Sequence, residues 1–261
     1  MEYKNLGKSG LKVSRLSLGS WLTFGKLIDD KVSEKLMHYA YDNGVNFFDN
    51  AEIYARGKSE KVMGKILHKS GWSRDSFIVS SKVFFGTGGQ WPTQKGLNRK
   101  HVFEACHQAM KRLQVDYLDL YFCHRPDKST PIEETVWAMH QLIMQGKILY
   151  WGTSEWTADE ITQAYEFARE NHLTPPSMEQ PQYNLLDRER FEVEYAPLYE
   201  KYGLVWIWMG NPALADPHDI FEIENYENPD WGINRGDAME LECNYLLMCD
   251  NLLDPTHVAW V

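Results

Sequence analysis

Short β-prone runs alternate with amphipathic helical runs along this chain, which predicts an α/β fold: a (β/α)8 barrel (TIM barrel) that is incomplete or irregular after its sixth or seventh unit. Three observations lead there. Six strand-then-helix units follow one another between about residue 15 and Gly203, and strict alternation implies parallel strands joined by right-handed crossovers. No Gly-rich phosphate fingerprint follows the first strand, which counts against a doubly wound sheet. Polar residues recur at the C-terminal ends of successive strands, and in a barrel those ends share one face.

The elements follow in order. Residues 4–13, with Lys8-Ser9-Gly10 at the turn, read as a hairpin able to close the barrel bottom. Strands are expected at 15–18, 46–50, 77–82, 117–124, 150–154 and 177–182, and helices at 31–43, 59–68, 100–113, 131–145, 158–170 and 189–201. Thr157-Ala158-Asp159-Glu160 has the form of a capping box, and Gly44, Gly146 and Gly203 stand just past the last turns of three helices. Residues 204–209, Leu-Val-Trp-Ile-Trp-Met, are apolar and β-prone and offer a seventh strand. Residues 210–232 are rich in Pro, Asn and Asp and break the rhythm. Residues 239–248 are the remaining run with alternation and the candidate for an eighth strand.

The 261 residues carry 27 Lys+Arg against 37 Asp+Glu, a formal charge of -10. That balance argues against nucleic acid or an anionic membrane surface as partner, since both need a clustered basic face. The excess is local. Residues 205–261 hold 11 acidic residues against the single base Arg235, which leaves 26 of each sign in residues 1–204. This step divides the chain into a charge-neutral segment, 1–204, and an acidic segment, 205–261. No run of 18 apolar residues is present, so no membrane insertion is expected, and the N-terminus lacks the apolar core of a secretory signal. Cys106, Cys123, Cys243 and Cys249 show neither CxxC nor CxH spacing, so no metal site is expected, and free thiols in a reducing cytoplasm are the simplest reading.

Asp49, Tyr54, Lys82 and His124 lie at or just beyond the ends of the second, third and fourth strands, where a barrel would make them converge. Such a set supports proton donation to a carbonyl oxygen. A neighbouring ammonium favours phenolate and lowers the phenol's pKa, Asp49 can hold Lys82, and His124 can orient the carbonyl. Each residue also has a plainer reading: Tyr54 as a packing residue, Asp49 as a helix cap, Lys82 as a surface end, His124 as a satisfied core histidine. Four successive positions on one face favour chemistry.

The runs Phe48-Asp-Asn-Ala-Glu-Ile-Tyr54, Ser80-Ser-Lys82, Asp116-Tyr-Leu-Asp-Leu-Tyr-Phe-Cys-His-Arg-Pro-Asp127, Gly146-Lys-Ile-Leu-Tyr-Trp-Gly-Thr-Ser154 and Gln180-Pro-Gln-Tyr-Asn184 resemble the aldo-keto reductases, in the branch that includes potassium-channel β subunits. The resemblance runs to about residue 204. It implies a (β/α)8 barrel that reduces aldehydes and ketones with NADPH, with Asp49, Tyr54, Lys82 and His124 as the catalytic tetrad and Tyr54 as the general acid. It further implies that Ser154 and Gln180 hold the nicotinamide carboxamide and that Gly19, Ser20 and Trp21 line the first loop. The family often has Asn after the serine, where this chain has Glu155. The partner implied is a small carbonyl substrate, and a homo-oligomer is left open.

After Gly203 the family's Ser-Pro-Leu pyrophosphate loop and basic 2′-phosphate segment do not appear. Trp206-Ile-Trp-Met-Gly-Asn-Pro-Ala213, Tyr226-Glu-Asn228 and Asn251-Leu-Leu-Asp-Pro-Thr-His257 instead resemble the Rieske-type aromatic oxygenases of the vanillate demethylase kind. There His257 would be one ligand of a two-His, one-carboxylate iron site. The second histidine and the carboxylate are missing, so no iron chemistry is expected. The expected function is NADPH-dependent carbonyl reduction impaired by the replaced cofactor half. The alternatives are a nucleotide-sensing or channel-regulatory binding module, and a fusion product without an evolved function of its own.

Overall fold

The computed structural model describes residues 1–184 and 186–202. The expected strands at 204–209 and 239–248, the acidic segment, Gly203 and His257 lie outside the described residues.

Two short strands, β1 (Tyr3–Asn5) and β2 (Lys12–Ser14), pair antiparallel, with Lys4 opposite Val13. They form the expected hairpin. Its Leu6 and Val13 pack on Phe47, Ile78, Leu120, Phe122 and Met178, residues that point into the sheet's concave side, four of them near the N-terminal ends of their strands. The hairpin therefore plugs the end of the barrel opposite the site described below.

Six strands follow: β3 (Ser17–Gly19), β4 (Phe47–Asp49), β5 (Ile78–Val83), β6 (Leu118–Cys123), β7 (Ile148–Thr153) and β8 (Met178–Glu179). Each pairs in parallel with the next, in the unbroken order β3-β4-β5-β6-β7-β8. A doubly wound sheet would reverse its order partway; sequential order is that of a barrel. The described residues thus form a curled six-stranded parallel sheet, an incomplete barrel.

The helices are α1 (Asp30–Asp42), α2 (Lys58–Ser70), α3 (Arg99–Leu113), α4 (Ile132–Met144), α5 (Ala158–Glu170) and α6 (Ala196–Tyr202). Side chains fix their starts: Asp29 accepts from the Val32 N–H, Asn98 from His101, and Thr157 with Glu160 forms the expected capping box. The main core lies between these helices and the outer sheet face, with Val79, Tyr121, Cys123 and Trp151 of the strands against Met63, Ile66, Val102, Ala109, Met139 and Ile161. α2 and α3 touch at Gly64, where a Cβ would meet the Arg112 carbonyl oxygen at 2.3 Å.

Two elements differ from expectation. The helix expected at 189–201 is a π turn (Arg190–Glu194) followed by α6. Pro197 has no N–H for the Val193 carbonyl and its ring crowds that turn, so the ladder widens and Tyr195 N–H reaches back to Arg190 O at 2.9 Å. The strand expected at 177–182 is only two residues long, confined between Pro175-Pro176 and Pro181, none of which can donate to a ladder.

Candidate active site

Strand alternation delivers the side chains. Along β5, Ile78, Ser80 and Lys82 face the barrel interior while Val79, Ser81 and Val83 face the helices; along β6, Leu120 and Phe122 face inward and His124, one residue past the strand, continues that row. Asp49 ends β4. Tyr54 opens a short 3₁₀ turn (Tyr54–Gly57) in which Ala55 and Arg56 have φ of 47° and 54° and Gly57 of 79°. Three left-handed residues in succession swing the chain sharply into α2 and leave Tyr54 directed back over β4 and β5.

The four residues meet. The Lys82 ammonium donates to Asp49 Oδ2, to the Asn50 carbonyl oxygen at 3.1 Å and to the Tyr54 hydroxyl at 3.2 Å, so its three N–H bonds are all used. Asp49 Oδ1 accepts from Ser80 Oγ at 2.6 Å. The Tyr54 and His124 rings lie edge to face with centroids 5.8 Å apart. Asp49, Tyr54 and His124 line a cleft of about 290 Å³, and Lys82, 1% exposed, lies buried behind them. The walls of that cleft include Trp21, Ile53, Phe85, Arg125, Ser154, Glu155 and Gln180.

Burial dominates the electrostatics. It holds the Tyr54 phenol above its ordinary pKa, and the Lys82 ammonium only partly opposes it. This corrects the expectation of a lowered phenol: Tyr54 keeps its proton at neutral pH. Burial acts to lower the Lys82 ammonium, but Asp49 and Tyr54 outweigh it and hold the pKa above the ordinary lysine value. Burial, then the charges of Lys82 and Arg125, push His124 well below the ordinary imidazole value. His124 is therefore neutral, and its Nδ1 has no hydrogen-bond partner among the described residues.

The remaining candidates divide into two groups. Gly19 pairs with Asp49 across β3 and β4, and Ser20 Oγ donates to the Asp49 carbonyl oxygen at 3.0 Å; both support Asp49 from behind the cleft wall. Trp21 faces the cleft with its ring 6.4 Å from that of Tyr54. Ser154 Oγ donates to the Gln180 carbonyl oxygen at 2.8 Å. The Gln180 side-chain amide makes no hydrogen bond among the described residues and borders the cleft. Glu155, with φ of 61°, is already engaged: its carboxylate accepts from the Gln182 N–H and, at 2.9 Å, from Arg190 Nη1.

Two contributors had no place in the sequence reading. Glu52 Oε1 accepts from the N–H groups of Phe84 and Gly86, each at 2.8 Å, and lies 3.2 Å from His101 Nε2, while the Glu52 N–H donates to the Lys82 carbonyl oxygen. Glu52 thereby ties the turn bearing Tyr54 to the loop bearing Phe85, whose ring packs 5.2 Å from that of His124. Its signal in sequence is one acid inside the otherwise uncharged run Asn50-Ala-Glu-Ile. Arg125, beside His124 in a run already singled out, is the other.

Compared with known proteins, the chain matches the aldo/keto reductase family over residues 15–213. Two curated relatives carry the name "Probable voltage-gated potassium channel subunit beta". The relative from Oryza sativa subsp. japonica is 48% identical over 239 residues, covering 87% of this chain and 72% of its own length. The relative from Arabidopsis thaliana is 47% identical with the same coverage.

Proposed function

The chain belongs to the aldo/keto reductase family, and we propose that it reduces aldehydes or ketones to alcohols with NADPH, Tyr54 being the proton donor. The observation that carries the reading is the buried Lys82 ammonium held between the Asp49 carboxylate and the Tyr54 hydroxyl, two groups that line an open cleft.

A carbonyl oxygen entering the cleft meets the protonated Tyr54 hydroxyl and the edge of neutral His124. As charge builds on that oxygen, Tyr54 gives up its proton and Lys82 stabilises the phenolate left behind. Asp49 keeps Lys82 charged and aimed. His124, neutral and with its ring braced by Phe85, orients the carbonyl from the cleft wall without competing for the proton. Bound NADPH supplies the hydride that completes the two-electron reduction. The residues present fit its nicotinamide end: Ser154 and the unengaged Gln180 amide stand at the cleft wall, and Trp21 offers a flat apolar face. Residues for the phosphates would come from 203–261, where the acidic composition predicts weak cofactor binding and slow turnover. Among the described residues Cys106 and Cys123 are free, buried thiols, which suits a reducing cytoplasm.

Tyr54→Phe tests the assignment. NADPH-dependent reduction of an aldehyde is expected to fall at least ~100-fold, and undiminished turnover would remove Tyr54 from the mechanism. The two relatives are named as potassium-channel β subunits, which lends weak support to the second reading, a channel-regulatory binding module; nucleotide sensing in that module rests on the family resemblance alone. In that case channel binding would persist in Tyr54→Phe, whereas a coupled reductase would lose its NADPH dependence. A fusion product without an evolved function is the reading left if neither activity is found.

A further inference from the structure

Three charged side chains border the cleft: Asp49, Glu155 and Arg125. Asp49 is paired with Lys82 and Glu155 with Arg190. Among the described residues no carboxylate lies within ion-pair distance of Arg125, whose one hydrogen bond runs from Nη1 to the neighbouring His124 carbonyl oxygen at 2.5 Å. That bond ties the guanidinium to the residue proposed to orient the carbonyl. Its central carbon lies 6.0 Å from the centre of the Phe85 ring, on the β5 side of β6. Ser154 and Gln180, the residues suited to the nicotinamide, are on the β7 and β8 side. Among the described residues the cleft thus carries one cationic group without a counter-ion, away from the cofactor's expected place and close to Tyr54 and His124.

We infer that Arg125 selects carbonyl substrates bearing an anionic group, a carboxylate or a phosphate a few bonds from the carbonyl. The inference rests on the reductase reading above. A guanidinium with free N–H groups against an apolar ring offers a bidentate carboxylate partner in a partly desolvated setting. Ile53, Phe85 and Trp21 accommodate the intervening carbon chain.

The test compares 4-oxobutanoate with its uncharged methyl ester. The wild-type protein is expected to favour the acid by about 10- to 100-fold in kcat/KM, mostly through KM. The preference should shrink with added salt. In Arg125→Gln the acid-to-ester ratio should fall toward one, and Arg125→Lys should retain part of it; the ratio cancels any shared effect on His124. A wild-type ratio near one, or a ratio unchanged in Arg125→Gln, overturns the inference while leaving carbonyl reduction standing. Turnover of neither compound overturns the reductase reading. Saturation-transfer NMR with 4-hydroxybutanoate then decides the Arg125 site by itself: binding weakened at least tenfold in Arg125→Gln supports it, and equal binding overturns it.

Discussion

Asp49 and Lys82 are both about 1% exposed, and an ion pair that deep survives only if every donor and acceptor is matched. Here it is: Ser80, Asn50 and Tyr54 take up what the pair itself leaves over. Removing one charge alone strands the other. Lys82→Met should therefore cost about 3–5 kcal/mol in urea unfolding, and adding Asp49→Asn to it should cost less than the two single changes summed. Glu179 sets a separate pH dependence. Buried wholly at the end of β8, with its carboxyl accepting from Thr153, it has its pKa pushed up by burial to about 8. A carboxyl protonated in the folded state but ionised when unfolded contributes stability that is fully present below about pH 4.5 and is lost as pH rises through about 8. In Glu179→Gln that decline should vanish, so the stability difference between variant and wild type, measured by urea midpoint, should change between pH 4.5 and 8. The tetrad was legible in sequence because its members close successive strands in recognisable runs. Glu52 and Arg125 were not, because single loop residues have no periodicity to reveal what they touch. The phenol's raised pKa was illegible for another reason: the sequence shows that Lys82 is near, but only the fold shows how little water is.

At the scale of elements, caps and alternation carry most of the information. Asp29, Asn98 and Thr157 begin helices as their chemistry dictates, and period-two alternation on β5 and β6 places Lys82 and His124 inward. The left-handed passage at Ala55 and Arg56 leaves no compositional trace, since neither is Gly or Asn. Pro197 did signal the break that widened into a π turn, but a helical pattern spanning it masked the signal. The α2–α3 contact at Gly64 is a sharp test of packing. With backbone atoms only 2.3 Å from the position of a Cβ, Gly64→Ala must part the two helices, and a loss of about 1–3 kcal/mol in urea unfolding is expected despite the better helix propensity of alanine.

For the whole molecule, sequential strand order and a hairpin plug settle the barrel architecture that alternation alone had shared with a doubly wound sheet. Among the described residues β3 and β8 each pair on one side only. The charge step at 204–205 falls inside the family match, which runs to residue 213. Weak cofactor binding is the proposal that follows from that step. With an affinity in the millimolar range, 0.1 mM NADPH would add under about 0.1 kcal/mol, so the thermal midpoint should rise by less than about 1 °C. A rise of several degrees would mean that the acidic segment supports the phosphates after all.

In the proposed reaction the cleft delivers a hydride to the carbonyl carbon and a proton to its oxygen. Its most direct test uses NADPH deuterated at both C4 positions with an aldehyde, followed by mass spectrometry of the alcohol, which registers even slow turnover. Deuterium should appear on the carbinol carbon with the wild-type protein, and at least ~100-fold less with Tyr54→Phe at equal time. Alcohol without deuterium, no alcohol at all, or equal labelling by both proteins would contradict the account.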